Sequence, residues 1–380
     1  MALQQAQALL SAEYPEAAEA VLRPHLASGA GAIPLWRAMA QALRRQGRVG
    51  EAARIQAMVV ETEPGDPTAR FELADSLLLL GDFERGWREY GFRYGLPHTA
   101  RIARKMARPR WTGAAMPGAT LLLHAEQGFG DTFQFMRLVR EAAVRSRARV
   151  VLEVNPEIFG LARRALPEIE VLHPGEAPPA FEAHCELLSL PLALGLGLRD
   201  LPGQMPYLRP DPELLNHWRA RLKDLPRPLV ALAWAGRATH PNDASRSVTL
   251  AKLGPLAATG AHFLAIQKGP AAAQAASPPA GLPVTQLSAE IADFEDTAAI
   301  LCVADLLISV DSSPVHLAGA LGRTAWVMLP FLPDWRWLMQ REDSPWYPSH
   351  RLFRQRHCGD WDGVVSAVAG ALSGKQEALF

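Results

Sequence analysis

Four loops carry residue types that could hold a phosphorylated ligand and activate a second substrate. The first is Glu126-Gln127-Gly128-Phe129-Gly130-Asp131. Gly128 and Gly130 permit a tight turn and close backbone approach, and the amides of the helix that follows are ready for an anion. Asp131 stands where that helix starts. Two roles are open to it: an N-cap, or a general base at the lip of a cleft, taking the proton of an acceptor hydroxyl. The second loop is Ser309-Val310-Asp311-Ser312-Ser313-Pro314-Val315-His316. Ser313 before Pro314 signals a helix start with Ser313 as its N-cap. The unpaired amides there suit a diphosphate, and Ser312, Ser313 and His316 can add donors. The plainer roles are a cap for Ser313 and a core-edge position for His316. In the third loop, Trp234-Ala235-Gly236-Arg237 leads to Asp243, Ser245 and Arg246. Gly236 allows a sharp exit, and Arg246 can neutralise phosphate charge with two parallel hydrogen bonds. The fourth, Gln267-Lys268-Gly269, offers Lys268 as a point charge for phosphate, against the commoner fate of a solvated lysine. A fifth segment, Phe331–Tyr347, holds Trp335, Trp337 and Trp346 as well. It can seat a base or sugar ring, or pack a hinge.

These loops need strands to position them. Short apolar runs bounded by turn residues at 119–124, 148–154, 170–173 and 185–188 read as buried parallel strands, with helices at 131–146 and 156–165 between them. A break at Asp224–Pro228 is followed by strands at 229–234, 262–266, 306–310 and 324–329, and helices at 250–257, 296–302 and 314–320. Alternation of this kind predicts two doubly wound parallel sheets. Ligands in such sheets bind beyond the carboxyl ends of the strands, where the loops above emerge.

Upstream, residues 1–97 repeat. Ala6, Ala40 and Ala74 are 34 apart, as are Leu9, Leu43 and Leu77, and Ala18, Ala52 and Gly86. Gly47 and Gly81 keep the same step. A period near 34 is that of tetratricopeptide helix pairs, in which small residues sit where two helices approach and leucines fill between. Residues 98–118, rich in proline and glycine at 107–118, read as a linker. Domains are therefore expected at 1–97, 119–224 and 229–380. Basic and acidic residues number 39 each, which gives no reason to expect nucleic acid as a partner. Cys185, Cys302 and Cys358 form no metal spacing and no disulfide framework, so a reducing, cytoplasmic setting is expected. The first twenty residues lack the basic and apolar regions of a signal peptide, and no apolar run is long enough for a transmembrane span.

The segments HAEQGFGDTFQFMR, LVALAWAGRATHPNDASRSVTL, FLAIQKG and ISVDSSPVHLAGALGRTAWVMLPFLPDWRWL, taken in order, resemble glycosyltransferase family nine, the heptosyltransferase-like group. Here that part is joined to tetratricopeptide repeats, and there is a more distant likeness to tetratricopeptide-linked O-GlcNAc transferases. The resemblance runs from about residue 111 to 372. It implies an α + α/β chain: helical repeats followed by two Rossmann-like domains in a GT-B arrangement. It implies a nucleotide-sugar donor, no cofactor and no metal; inverting transfer by direct displacement is the hypothesis set beside it, retention being left open. The family's glycine-loop aspartate falls on Asp131 as catalytic base, and its donor-phosphate loop on Asp311–His316. Donor-binding residues are then Gln127, Gly128, Gly130, Trp234, Gly236, Arg246, Lys268, Asp311, Ser312, Ser313, His316 and Trp335. The heptosyltransferase lysine after the first C-terminal strand has no counterpart; Arg246 or Lys268 stands in for it, and the nucleotide is left open. The repeats imply a protein acceptor, a glycan being the alternative. A non-catalytic repeat scaffold with a degenerate transferase part, and a nucleotide-sugar hydrolase or epimerase, are the competing readings.

Overall fold

The computed structural model describes residues 1–27, 32–201, 203–240 and 242–377. Pro241, inside the third loop, residues 28–31 and 202, and residues 378–380 of the expected last domain lie outside them. The chain forms two compact units, one from Met1–Lys105, Gly195–Asp200 and Leu332–Gln340, the other from Met106–Leu194, Leu201–Phe331 and Arg341–Phe380.

The first unit is helical. It contains α1 (Ala2–Ser11), α2 (Pro15–Ala27), α3 (Ile33–Arg45), α4 (Val49–Thr62), α5 (Pro67–Leu79), α6 (Phe83–Tyr90) and, after a 3-10 turn, the short α7 (Pro97–Ala100). From α1 to α6, each helix packs on the next. The second helices of the three pairs, α2, α4 and α6, begin at residues 15, 49 and 83, a constant step of 34. The repeated Ala6, Ala18, Ala40, Ala52 and Ala74 are all buried, as expected where a larger side chain would hold two helices apart. Asp66 and Asp82 cap α5 and α6 with side-chain hydrogen bonds. Arg37 bridges Asp66 and Glu72, so polar ties join successive pairs as well. The returning segment 332–340 supplies Trp335, whose ring stands edge-on to Trp87, Phe83 and Tyr90 at centroid distances of 5.1, 6.3 and 6.4 Å.

The second unit holds two sheets, each entirely parallel. The first has β1 (Thr120–His124), β2 (Arg149–Glu153), β3 (Glu170–Leu172) and β4 (Ala183–Glu186) in the order β3-β2-β1-β4. Its crossovers carry α8 (Phe129–Met136), α9 (Val139–Ser146) and α10 (Phe159–Ala165); α11 (Leu190–Leu194) and α12 (Pro212–Leu222) follow β4. The second sheet has β5 (Leu229–Ala233), β6 (His262–Ala265), β7 (Val284–Gln286), β8 (Leu306–Val310), β9 (Ala325–Leu329) and β10 (His350–Arg354) in the order β10-β9-β8-β5-β6-β7. Around it run α13 (Asp243–Arg246), α14 (Phe294–Val303), α15 (Ser313–Ala320) and α16 (Trp361–Glu377). Strands β5, β8 and β9 are buried at every residue, which is why they read as unbroken apolar runs.

Three local expectations change. The helix expected over 131–146 is two, α8 and α9, because the chain tightens to a turn at Leu138, whose amide bonds Phe135 O. The helix expected at 250–257 is a 3-10 helix over Leu250–Thr259, with Pro255 inside it. The N-cap of α15 is Ser312, in extended backbone, and Ser313 is the first helical residue.

Trp335→Ala should cost about 3–5 kcal/mol, the usual loss for a buried tryptophan, and lower the denaturant midpoint of the tryptophan-fluorescence transition. An unchanged midpoint would mean that the aromatic cluster does not hold the helical unit together.

Candidate functional site

In both sheets the strand order reverses beside the first strand, between β1 and β4 and between β5 and β8. Adjacent loops at such a point leave in opposite directions and open a crevice at the carboxyl edge. The predicted loops stand there: 126–131 follows β1, 234–246 follows β5, and 311–316 follows β8.

The β5 loop is fixed from below by a side chain the sequence did not mark as important. Gln267, buried just past β6, accepts from the amides of Trp234 and Ala235 through Oε1, both at 2.9 Å. Its Nε2 donates to Ala235 O and Lys268 O. Trp234 therefore serves the loop through its backbone, while its ring lies wholly in the core of the second sheet. Gly236 donates to Ser247 Oγ at 2.9 Å, and Ser247 donates to Asp243 Oδ1. Arg246 lies directly over Gly236: a Cβ there would come within 2.8 Å of the guanidinium carbon and push the arginine head aside. The Arg246 side chain is only 16% exposed and lies 3.6 Å from Asp243. Its Nε is buried and makes no hydrogen bond. Lys268 is placed otherwise: its ammonium donates to Ser288 O and Ile291 O, both at 2.8 Å, and so ties down the loop before α14.

The β8 loop and the β1 loop meet. Helix α8 packs against α15, and a Cβ on Gly130 would stand 2.7 Å from His316 Cδ2. Asp131, third residue of α8, accepts from the Gly128 amide at 2.8 Å through Oδ2, which closes the first turn and orients the carboxylate. Gln127 and Gly128 are half-buried in that turn. His316 is buried; its Nδ1 lies 3.1 Å from Tyr347 Oη and its Nε2 3.9 Å from Asp311 Oδ1. Ser312 Oγ turns back to Val310 O and Ser309 Oγ and leaves the helix amides uncapped by its side chain. The structure thus brings Gln127, Gly128, Gly130 and Asp131 to Asp311, Ser312, Ser313 and His316. Separately, it joins Gly236 to Arg246.

Among the aromatics of 331–347, Trp335 belongs to the helical unit, where packing surrounds its ring, in place of the donor-binding role expected. Trp346 and Tyr347 are buried in the α/β unit; Tyr347 stands over His316 and under the Arg137 guanidinium. Nearby, His350 Nε2 lies 3.0 Å from Val315 O. Burial pulls its pKa down to about 4.

The sequence reading missed a third group. His124, last residue of β1, faces His184 and Glu186 on β4, with His124 Nε2 3.3 Å from His184 Nδ1. All three are buried. Arg110 grips both carboxylate oxygens of Glu186 at 2.7 Å. Burial would raise the Glu186 carboxyl, but the guanidinium prevails and holds it at about 2. His184 and Glu186 are two apart on a strand and so share a face, a pattern visible in HCE once that segment is read as a strand.

No protein-family model matches the chain. It is similar to Protein FlbA of Caulobacter vibrioides, with 29% identity over 350 residues, 85% of this chain and 58% of that protein. The chain therefore spans less than two thirds of this relative's length. Among solved structures it is similar to the ADP-heptose lps heptosyltransferase II of E. coli, with TM-score 0.50, 14% identity, and coverage of 68% of this chain and 99% of that one. A glycosyl transferase family 9 structure from Veillonella parvula gives TM-score 0.45 and 12% identity over 69% of this chain and 99% of its own. The first of these likenesses shows the fold: a GT-B-like α/β part with two parallel sheets. Among the described residues, no helix is long and apolar enough to cross a membrane.

Replacing Gln267 with leucine should leave the Trp234 and Ala235 amides unpaired at about 1–3 kcal/mol each, read as a lower thermal midpoint; an unchanged midpoint would show that the loop is held by other means. Because the folded His350 pKa lies below its unfolded value of about 6.5, the unfolded chain takes up the proton first. Stability should then fall as pH drops from about 6.5 towards 4, by a total on the order of 3 kcal/mol. His350→Gln should flatten that slope in urea titrations at stepped pH, and an equal slope in the variant would assign it to other groups.

Proposed function

We propose that this chain is a glycosyltransferase that moves a sugar from a nucleotide-sugar to a hydroxyl of a protein or glycan, with inversion and without a metal ion. The observation that carries the reading is Arg246. A nearly buried guanidinium whose Nε has no hydrogen bond, laid over Gly236 at the strand-order reversal of the second sheet, is a site that an anionic ligand would complete. The Ser313 amide at the start of α15, not capped by the Ser312 side chain, adds a second anion-binding element at the same sheet edge. The GT-B-like fold supports a sugar nucleotide as that anion, and the E. coli enzyme of similar fold is named for ADP-heptose, which makes ADP the first nucleotide to test.

In this mechanism Asp131 takes the proton of the acceptor hydroxyl as its oxygen attacks the anomeric carbon. The bond from that carbon to the diphosphate oxygen breaks, and the electron pair leaves with the diphosphate. Arg246, with the amide and hydroxyl of Ser313 at the start of α15, stabilises the charge that develops there; Ser312 would join them only by turning its hydroxyl away from Val310 O. His316 and Gly130 hold the two helix starts together. The helix pairs, stepping by 34 residues, read as tetratricopeptide repeats that recruit a protein acceptor. The three widely spaced cysteines agree with a cytoplasmic setting.

A second reading has its own observation. The Asp131 carboxylate already closes the first turn of α8 through the Gly128 amide, and Lys268 is committed to two carbonyls. A non-catalytic scaffold would use both in that way alone.

Thermal-shift titration with ADP, UDP, GDP and CMP derivatives should give stabilisation by one nucleotide, weakened at least tenfold in Arg246→Ala. Asp131→Asn should keep that binding and lose transfer by 10²–10⁴-fold, the range for a general base. No shift with any nucleotide would favour the scaffold.

A further inference from the structure

We propose that His124, His184 and Glu186 form a binding site for a divalent transition-metal cation of the zinc class, at the strand-order reversal of the first sheet. The three side chains come from adjacent parallel strands. The pairing of Leu122 with His184 and of His124 with Glu186 puts them on one face, at the edge where ligands enter. They are 1%, 5% and 3% exposed, and one ligand atom from each lies within 4.8 Å of the others.

The separation of the two imidazoles suits a cation. The facing nitrogens are 3.3 Å apart, at the long end of hydrogen-bond distances. Two nitrogens bound to tetrahedral zinc at ~2.0–2.1 Å would be about 3.3–3.4 Å apart. His124 Nδ1 lies 3.4 Å from Ala125 O. A proton on that nitrogen turns the Nε2 lone pair towards His184, the arrangement common to metal-bound histidine.

Glu186 is prepared in the same sense. Arg110 takes one lone pair from each carboxylate oxygen and fixes the plane of the group. Each oxygen has a second lone pair to offer. Glu153, also buried, pairs with His124 from the other side in β2, so acidic residues flank His124 on both neighbouring strands. Two imidazoles and one carboxylate favour zinc-class ions over magnesium or calcium, which prefer all-oxygen sites. Three protein ligands leave a fourth position for water or a substrate oxygen. The transfer chemistry above uses no cation, so the two proposals stand or fall separately.

The test uses the tag-free full chain, stripped with a chelator and titrated with Co²⁺ and Zn²⁺. The expected result is one equivalent bound per chain, visible Co²⁺ absorption of a low-symmetry site, and a higher thermal midpoint with Zn²⁺. His124→Gln and Glu186→Gln should each weaken Co²⁺ binding more than tenfold, while His173→Ala, in the exposed pair with Glu176, should leave it unchanged. Circular dichroism of each variant checks its fold, and if a variant fails to fold, the stoichiometry and spectrum of the wild-type protein decide. No visible band and no midpoint change would overturn the proposal in favour of a hydrogen-bonded histidine pair. Binding that survives in folded His124→Gln and Glu186→Gln would overturn it as well.

Discussion

A parallel strand is covered on both faces by the crossover connections that parallel pairing demands, and that constraint decides where this molecule can keep polar groups. With β5, β8 and β9 buried along their whole length, the carboxyl edge is what remains. Each sheet also reverses its strand order once. The loops that diverge at those reversals are the ones rich in glycine, serine, aspartate and arginine. The site is a consequence of strand direction before it is a consequence of any single residue.

Holding such loops needs buried hydrogen bonds, because their amides leave the sheet ladder where it ends. Gln267 meets this need after β5 by accepting from two successive amides. Lys268, next along the chain, does a comparable job with the carbonyls ahead of α14. Neighbouring residues of one short loop thus brace two different backbones. Arg246 differs from both in having a buried nitrogen with no hydrogen bond, a property it shares with the Trp234 indole of the same loop.

Much of the fold was legible in the sequence because buried parallel strands leave a plain mark, a short apolar run between turn residues. Where the mark is absent the reading failed. β10, HRLFR, sits at an edge and mixes charge with apolar residues; β7 has three residues. The break between α8 and α9 carries no glycine or proline. Of the candidate site, the loops and where they leave the sheets were legible because glycine, serine and proline have local meaning. The side chains that support them were not. Gln267 holds amides 32 and 33 residues away, and Tyr347 meets His316 across 31. His124 and His184 are 60 apart. Such partnerships are set by strand order, which no local pattern encodes. Trp335 shows the reverse error: a dense aromatic run invites a ligand, yet its ring completes a hydrophobic cluster.

That same cluster bears on how the chain matures. Phe83, Trp87 and Tyr90 lie within the first ninety residues, but Trp335, which covers them, is translated only after both sheets have been almost entirely synthesised. On a ribosome the helical unit therefore waits, with an aromatic surface uncovered, for a segment translated after it. The interval is one in which a chaperone has something to hold, and a nascent chain stopped short of residue 332 would carry that surface exposed.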